Sequence, residues 1–407
     1  MADLIPVSYK LLKGMNESLI LNVIRHNKYI SRSEIAKITN LTPPTVTNII
    51  NKLLDDGLVK EDKLGESSVG RPPIILKINN EAFNLIVIII GTDVMEEYIV
   101  DDELNIRESQ VDRIKNEDEE GIFELLFDRI KYLKEKSSKE IAGIGVIVRG
   151  STKSSEGVSI FSPNIRWSNV PIKEMIEKEF NIPTFVENEA RAMALGEFYN
   201  GNAKNVDNLV FLKVGHGIGA TILLDGKIYR GINDMAGEIG HTTIDVAGPK
   251  CSCGNYGCFE ALASEKALIN NVVKRIKEGS YSIVYKLING DIENLTPRLV
   301  YKAAKDNDEV ALSELNKIAI YLGIGIANIV NVFSPELILI SGGIARARAF
   351  IEDTVLETIK KRSFEVNYSS CSIVFSNPDY NTALIGISNI ILTEYMKLKC
   401  FYVPYKI

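Results

Sequence analysis

The chain has 407 residues, 45% of them apolar and 25% charged, with a formal net charge of -6. No apolar run approaches the roughly 20 residues a membrane helix needs, and MADLIPVSYK lacks the basic start and apolar centre of a secretion signal. A cytoplasmic protein of two or three domains is expected, with no membrane partner. Residues 1–80 carry 11 Lys and Arg against 8 Asp and Glu, or +3, which leaves 36 against 45, or -9, for the remainder. A mildly basic segment on an acidic body points to nucleic acid at one end only.

The segment from Asn16 to Asn79 has the periodicity of a small helical domain. Leu19, Ile20, Val23 and Ile24 recur at helical spacing, and a short second helix is expected from Ser33 through Glu34, Ile35, Ala36 and Ile38. Asn40-Leu41-Thr42 makes a turn into a third helix, which tolerates Pro43 and Pro44 in its first turn. Val46, Ile49, Ile50, Leu53 and Leu54 form its apolar face. The other face presents Thr45, Thr47, Asn48, Asn51 and Lys52, short polar groups suited to base edges and phosphates in a major groove. Asp56-Gly57-Leu58-Val59 and Ile74 to Ile78 read as the two strands of a wing, with Gly70-Arg71-Pro72-Pro73 in the hairpin. An arginine held out by glycine and proline suits a narrow minor groove. The expected element is a DNA-binding winged helix-turn-helix over residues 1–80.

Residues 81–407 read as α/β. An apolar β-branched strand at Leu85 to Ile90, a second leading through Tyr98 to Val100, and an Asp101-Asp102-Glu103-Leu104 turn suggest a β-meander opening. A charged helix near Glu117 to Lys136 and another strand at Ile141 to Val148 follow. From Leu262 onward helices lead to a second strand-and-helix half. There Ser334-Pro335-Glu336 stops a long helix before the buried strand Leu337 to Ile340, and Gly323 and Gly325 allow close helix packing. Cys371 and Cys400 are expected to be buried, unbridged residues.

Gly237 to Glu260, GEIGHTTIDVAGPKCSCGNYGCFE, concentrates three of the five cysteines and one of the three histidines. Cys251, Cys253 and Cys258 with His241 make a four-ligand set that suits tetrahedral zinc, and Gly254 and Gly257 let the backbone wrap tightly. Cys-x-Cys is a poor disulfide pair, and the set leaves no evident open position, so a structural Zn2+ is expected.

Glu238-x-Gly240-His241 followed by Cys251-x-Cys253-Gly254-x-x-Gly257-Cys258-x-Glu260 resembles the signature of the ROK family of sugar kinases and sugar-responsive repressors. The resemblance covers nearly the whole chain. It implies a two-lobed actin-like (ribonuclease H-like) ATPase fold with sugar in the cleft, and a winged helix-turn-helix in front, as in the ROK repressors. It also implies that Glu238, His241 and Glu260 contact sugar, His241 serving metal and sugar through different ring nitrogens. Asn164, in Pro163-Asn164-Ile165-Arg166-Trp167, and Asn188 and Glu189, in Glu187-Asn188-Glu189-Ala190, join them as sugar contacts.

The chain departs from the family's kinases where ATP would bind. The first phosphate loop has Ile89 in place of aspartate and Asp93 in place of threonine, around a retained Gly91. A carboxylate facing phosphates without its metal partner repels them. His216 replaces threonine in the second loop, Val214-Gly215-His216-Gly217-Ile218-Gly219, and Glu189 replaces the aspartate base. Gly342-Gly343 resembles the adenosine-side turn. Asn-Glu-Ala is typical of the family's xylose repressors, so no catalytic residue is assigned. The expected protein is a homodimeric repressor that binds a palindromic operator and is released by a monosaccharide, xylose by resemblance. A sugar kinase and a repressor governed by a protein signal are the alternatives.

Overall fold

The computed structural model describes residues 9–27, 29–64, 73–79, 83–114, 117–162, 165–204, 206–376 and 381–399. In chain order its elements begin with α1 (Tyr9–Asn27), β1 (Ile30–Ser31), α2 (Arg32–Thr39), α3 (Pro43–Asp55), β2 (Val59–Leu64) and β3 (Ile74–Ile78). Next come β4 (Phe83–Ile90), β5 (Val94–Asp101), β6 (Ile106–Arg113), α4 (Glu119–Lys136), β7 (Glu140–Val148), β8 (Ser151–Lys153), β9 (Val158–Ser162), β10 (Trp167–Val170), α5 (Ile172–Phe180) and β11 (Thr184–Asn188). There follow α6 (Glu189–Asn200), β12 (Leu209–Val214), β13 (Ile218–Leu224), β14 (Lys227–Ile228), α7 (Phe259–Ala263), α8 (Glu265–Lys277), α9 (Ile283–Leu287), α10 (Pro297–Lys305) and α11 (Glu309–Phe333). The chain closes with β15 (Leu337–Ser341), α12 (Arg348–Arg362), α13 (Glu365–Ser369), β16 (Ser372–Phe375) and α14 (Asn381–Lys399). Contacts divide the chain into one unit of residues 1–150, 156–187 and 387–407 and another of residues 151–155 and 188–386.

The first unit carries the helical segment and one five-stranded sheet. Helix α2 starts one residue earlier than its sequence suggests, because Ser31 forms a full capping box with Glu34. The Ser31 hydroxyl and amide, both donating to the Glu34 carboxylate, hold that carboxyl below its usual range. In α3 the Thr42 side chain caps the helix, two prolines occupy its first turn, and Val46, Ile49, Ile50 and Leu53 are buried while Leu54 is only half-buried. β1 joins the expected β2–β3 pair to give the order β1-β3-β2.

The five-stranded sheet of this unit runs β11-β7-β4-β5-β6, with β4 antiparallel to β5 and parallel to β7. Its core lies under α4 and α5. There the fully buried Trp167 stacks on Phe123 with ring centroids 4.8 Å apart. Asp102 and Glu103 make the expected turn between β5 and β6, with Leu104 at φ 68.

The second unit repeats that strand logic. Its sheet runs β14-β13-β12-β15-β16, again a central strand with an antiparallel hairpin on one side and parallel strands on the other. Helix α11 is long and apolar enough to cross a bilayer by length and composition, more than the sequence reading allowed, yet it lines the core of this unit. A side chain at Gly323 would meet Thr358 and one at Gly325 the ring of Phe259, so both glycines permit the expected close packing. Asp308 caps α11, so the preceding Asp306 lies outside the helix. Cys371 is half-buried, and burial pushes its thiol up to about 11. Cys400 lies outside the described residues.

Candidate functional site

The exposed face of α3 carries most of the groups expected to meet DNA. Thr47, Asn48 and Asn51 are exposed, and Thr45 and Lys52 half-exposed. Three have intramolecular ties that sequence reasoning missed, Thr45 sharing a hydrogen bond with the Thr42 hydroxyl at 2.8 Å. The Thr47 hydroxyl donates to the Pro43 carbonyl at 2.9 Å, and the Lys52 ammonium pairs with the buried Glu17 carboxylate at 2.6 Å. Lys52 therefore joins α3 to α1 as well as facing outward. Arg71 lies outside the described residues, as does Asn164.

In the second unit the four expected metal ligands converge. His241 ends a 3-10 turn at Ile239–His241, and Cys258 caps α7, which the bridge between Thr243 and Cys258 brings back beside that turn. Between them Cys251 to Asn255 forms a tight turn closed by the Cys251 amide on the Asn255 carbonyl at 2.7 Å. Gly257 is indispensable to this path. It sits at φ +64, and a Cβ there would lie 1.6 Å from the Asp245 carbonyl oxygen.

The ligand atoms of His241, Cys251, Cys253 and Cys258 lie within 4.8 Å of one another, with Cys251 Sγ 3.6 Å from His241 Nδ1 and Cys253 Sγ 3.7 Å from Cys258 Sγ. Tetrahedral zinc, with bonds of about 2.3 Å to sulfur and about 2.0 Å to nitrogen, separates its ligands by roughly 3.5–3.8 Å. The residues fit the ion. Burial, with the neighbouring thiols, pushes the Cys258 thiol up to about 12, a penalty that a cation among the sulfurs would reverse. With Nδ1 toward the sulfurs, His241 Nε2 stands 4.0 Å from Glu238 Oε2.

Strand β13 gathers the remaining candidates. The Ile218 amide donates to Glu260 Oε2 at 2.9 Å, while Ser252 reaches Glu260 Oε1 at 3.4 Å. Gly240 lies against the Ile218 carbonyl, where a Cβ would approach to 2.2 Å. One residue on, Gly219 faces Ala190 in the first turn of α6. Asn188 caps that helix, its Oδ1 accepting from the Ala190 and Arg191 amides at 2.8 and 3.2 Å. Glu189 follows, ion-paired with Lys213 of β12. The metal turn and the α6 N-terminus thus meet neighbouring residues of β13.

Arg191 and Asp234 were not singled out from sequence, and both are almost fully buried. Arg191 donates to the Asp234 and Thr152 carbonyls, while Asp234 accepts from the Ser155 amide at 2.9 Å and from Arg230 at 3.1 Å. Burial opposes ionisation of Asp234, but these donors hold its carboxyl below the usual range.

The phosphate-loop positions are formed as turns. In the first unit Gly91 donates to the Val94 carbonyl, and Asp93 is exposed at the tip between β4 and β5. In the second, Gly215 closes on Gly217 with His216 exposed between them.

Residues 85–394 match the model of the ROK family, and residues 16–60 match a winged helix-turn-helix DNA-binding model. This chain belongs to the ROK family. Among its relatives is the xylose repressor of Caldicellulosiruptor bescii, 34% identical over 398 residues that cover 95% of this chain and 98% of that protein. A crystallised ROK family transcriptional regulator, a homologue of the E. coli MLC protein, superposes with a TM-score of 0.84 at 28% identity, covering 95% of this chain and 98% of that one. A ROK family glucokinase from Streptomyces griseus, solved with glucose and AMPPNP, shares the fold of the ROK domain. Its TM-score is 0.65 at 24% identity, over 75% of this chain and 98% of that one. The expected architecture, a winged helix-turn-helix joined to an α/β ROK domain, is the one found.

Proposed function

We propose that this protein is a sugar-responsive transcriptional repressor and not an enzyme. The observation that carries the reading is the pairing of a winged helix-turn-helix with a ROK domain that departs from the family's kinases at the base and phosphate-loop positions. Glu189 stands where the family's kinases place their base, and its Oε2 is ion-paired with Lys213. A cation at hydrogen-bonding distance diminishes the strength a base needs to abstract a proton, whereas accepting a hydrogen bond from a sugar hydroxyl does not require it. Ile89, Asp93 and His216 remove ordinary phosphate-loop chemistry as well.

In this reading residues 1–80 bind operator DNA through Thr45, Thr47, Asn48, Asn51, Lys52 and Arg71, and residues 81–407 bind the effector. Asn164, Asn188, Glu189, Glu238, His241 and Glu260 meet the sugar hydroxyls. His241, Cys251, Cys253 and Cys258 would hold a structural zinc ion that fixes the ring of His241. The names of the relatives favour xylose. The protein works in the cytoplasm as a homodimer on a palindromic site, since helix-turn-helix dimers read half-sites about one helical turn apart. Moving occupancy from mostly bound to mostly released requires the sugar to favour one state by about 5.5 kcal/mol.

Calorimetric titration with xylose, glucose and N-acetylglucosamine, beside an ATP-consumption assay on the same sugars, tests this. Saturable binding of one sugar without turnover is expected. ATP-dependent phosphorylation that Glu189→Ala abolishes would overturn it.

A further inference from the structure

Two glycine turns lie at the carboxyl ends of adjacent parallel strands in the second unit. β12 leads into Gly215-His216-Gly217 and β15 into Gly342-Gly343, with Lys213 and Ser341 in register. Gly342 sits at φ +94, and a Cβ there would stand 2.4 Å from the Val214 carbonyl, so the second turn is pressed onto the end of the first strand. Crevices at the carboxyl ends of parallel strands, walled by glycine turns, accept the phosphates of nucleotides. Here the space holds a side chain.

That side chain is Glu265, the first residue of α8. Its amide donates to the Gly215 carbonyl at 2.8 Å, and its Oε1 accepts from the buried Tyr301 hydroxyl at 2.8 Å. A Cβ added at Gly343 would lie 2.1 and 2.3 Å from the two carboxylate oxygens, and one added at Gly215 would lie 3.7 Å from Oε2. The carboxylate thus rests on the bare face of Gly343 and beside Gly215. Arg298 and Arg346 lie close enough to favour its charge, against the larger effect of its burial. A second carboxylate, Glu260, stands under the same loop, 2.5 Å from the Cβ position of Gly217.

We propose that Glu265 is a built-in occupant of the nucleotide cradle: fixed by Tyr301, its carboxylate fills the space between the two glycine turns and excludes a nucleoside polyphosphate. The anion the cradle would have taken from solution is supplied by the chain itself. Glu265 is in this sense a specificity residue, which keeps the domain responsive to sugar alone. The proposal rests on reading the domain as a sensor, and deepens that reading.

The test is titration of the full chain with ADP and magnesium, by calorimetry, for the native protein and for Glu265→Ala, Glu265→Gly and Tyr301→Phe. Native protein should show no saturable binding at millimolar ADP. The Ala and Gly variants should bind at least about tenfold more tightly, since a like charge and its bulk are both gone. Tyr301→Phe, which frees the carboxylate without removing it, should gain less. Xylose titration and thermal melting of the same samples establish that each variant is folded, and the Ala variant decides if the Gly variant is not. Native protein that binds ADP as well as the variants, or folded variants that bind no better than native, would overturn the role of Glu265. Xylose binding retained in those samples would leave the sensor reading standing, whereas sugar phosphorylation by the native protein would end that reading instead.

Discussion

The carboxylate of Glu189 and the ammonium of Lys213 form an ion pair that joins the first turn of α6 to strand β12. Their side chains are 13% and 26% exposed, so neither is freely solvated. Lys213→Met should remove this ion pair and cost about 1–3 kcal/mol, the usual range for losing a hydrogen bond to a charged, largely buried group. Urea denaturation measures this, and unchanged stability would mean that the pair contributes nothing.

The metal turn supports a second expectation. One equivalent of zinc per chain should be found by elemental analysis, and chelation should lower both the melting temperature and the sugar response. Cys253→Ser should do the same. Gly257→Ala, forced to φ +64 against the Asp245 carbonyl, should cost more than about 1 kcal/mol and release metal, because an alanine at positive φ is strained even where space is free. Full stability and response in zinc-free protein would refute the structural role.

Recognition by α3 separates into two classes of variant. Asn48→Ala and Asn51→Ala should weaken operator binding by about 1–3 kcal/mol each at fixed salt, with unchanged melting temperature. Lys52→Ala should weaken binding and lower stability together, since it also strands the buried Glu17. Anisotropy and thermal melting on the same samples distinguish these patterns.

Glu97 provides a pH test. It is fully buried on β5, its oxygens meet no donor, and burial first, with the nearby Asp112 carboxylate second, raises its pKa to about 8 despite Arg129. The folded state therefore keeps a proton that the unfolded chain loses near pH 4.5. Stability from this group is fully present below that value and is lost as pH rises to about 8. Glu97→Gln should flatten the decline, gaining relative to native protein at alkaline pH, as read by urea denaturation across that range.

Local features were legible in the chain because they depend on spacing. The four candidate metal ligands stand within 18 residues of one another, and the apolar face of α3 follows a helical period. The α2 start shifted because Ser31 and Ser33 both qualify as caps, and only Ser31 has Glu34 three residues on. What stayed hidden is non-local. Glu189 finds Lys213, Arg191 finds Asp234, and Glu265 finds Tyr301 only after sheet and helices have formed. The shared strand order of the two sheets was legible only through the family resemblance, since topology can repeat where residues do not.

Fluorescence anisotropy of the full chain on its own upstream DNA, at fixed salt and titrated with xylose, glucose and N-acetylglucosamine, asks whether a sugar releases the protein from its operator. Salt is held constant because phosphate contacts dominate affinity. Tight binding that one sugar reverses, and that Glu260→Gln makes unresponsive while DNA affinity stays native, is the expected result. DNA binding that no sugar alters, or no DNA binding at all, would overturn the assignment of a sugar-responsive repressor.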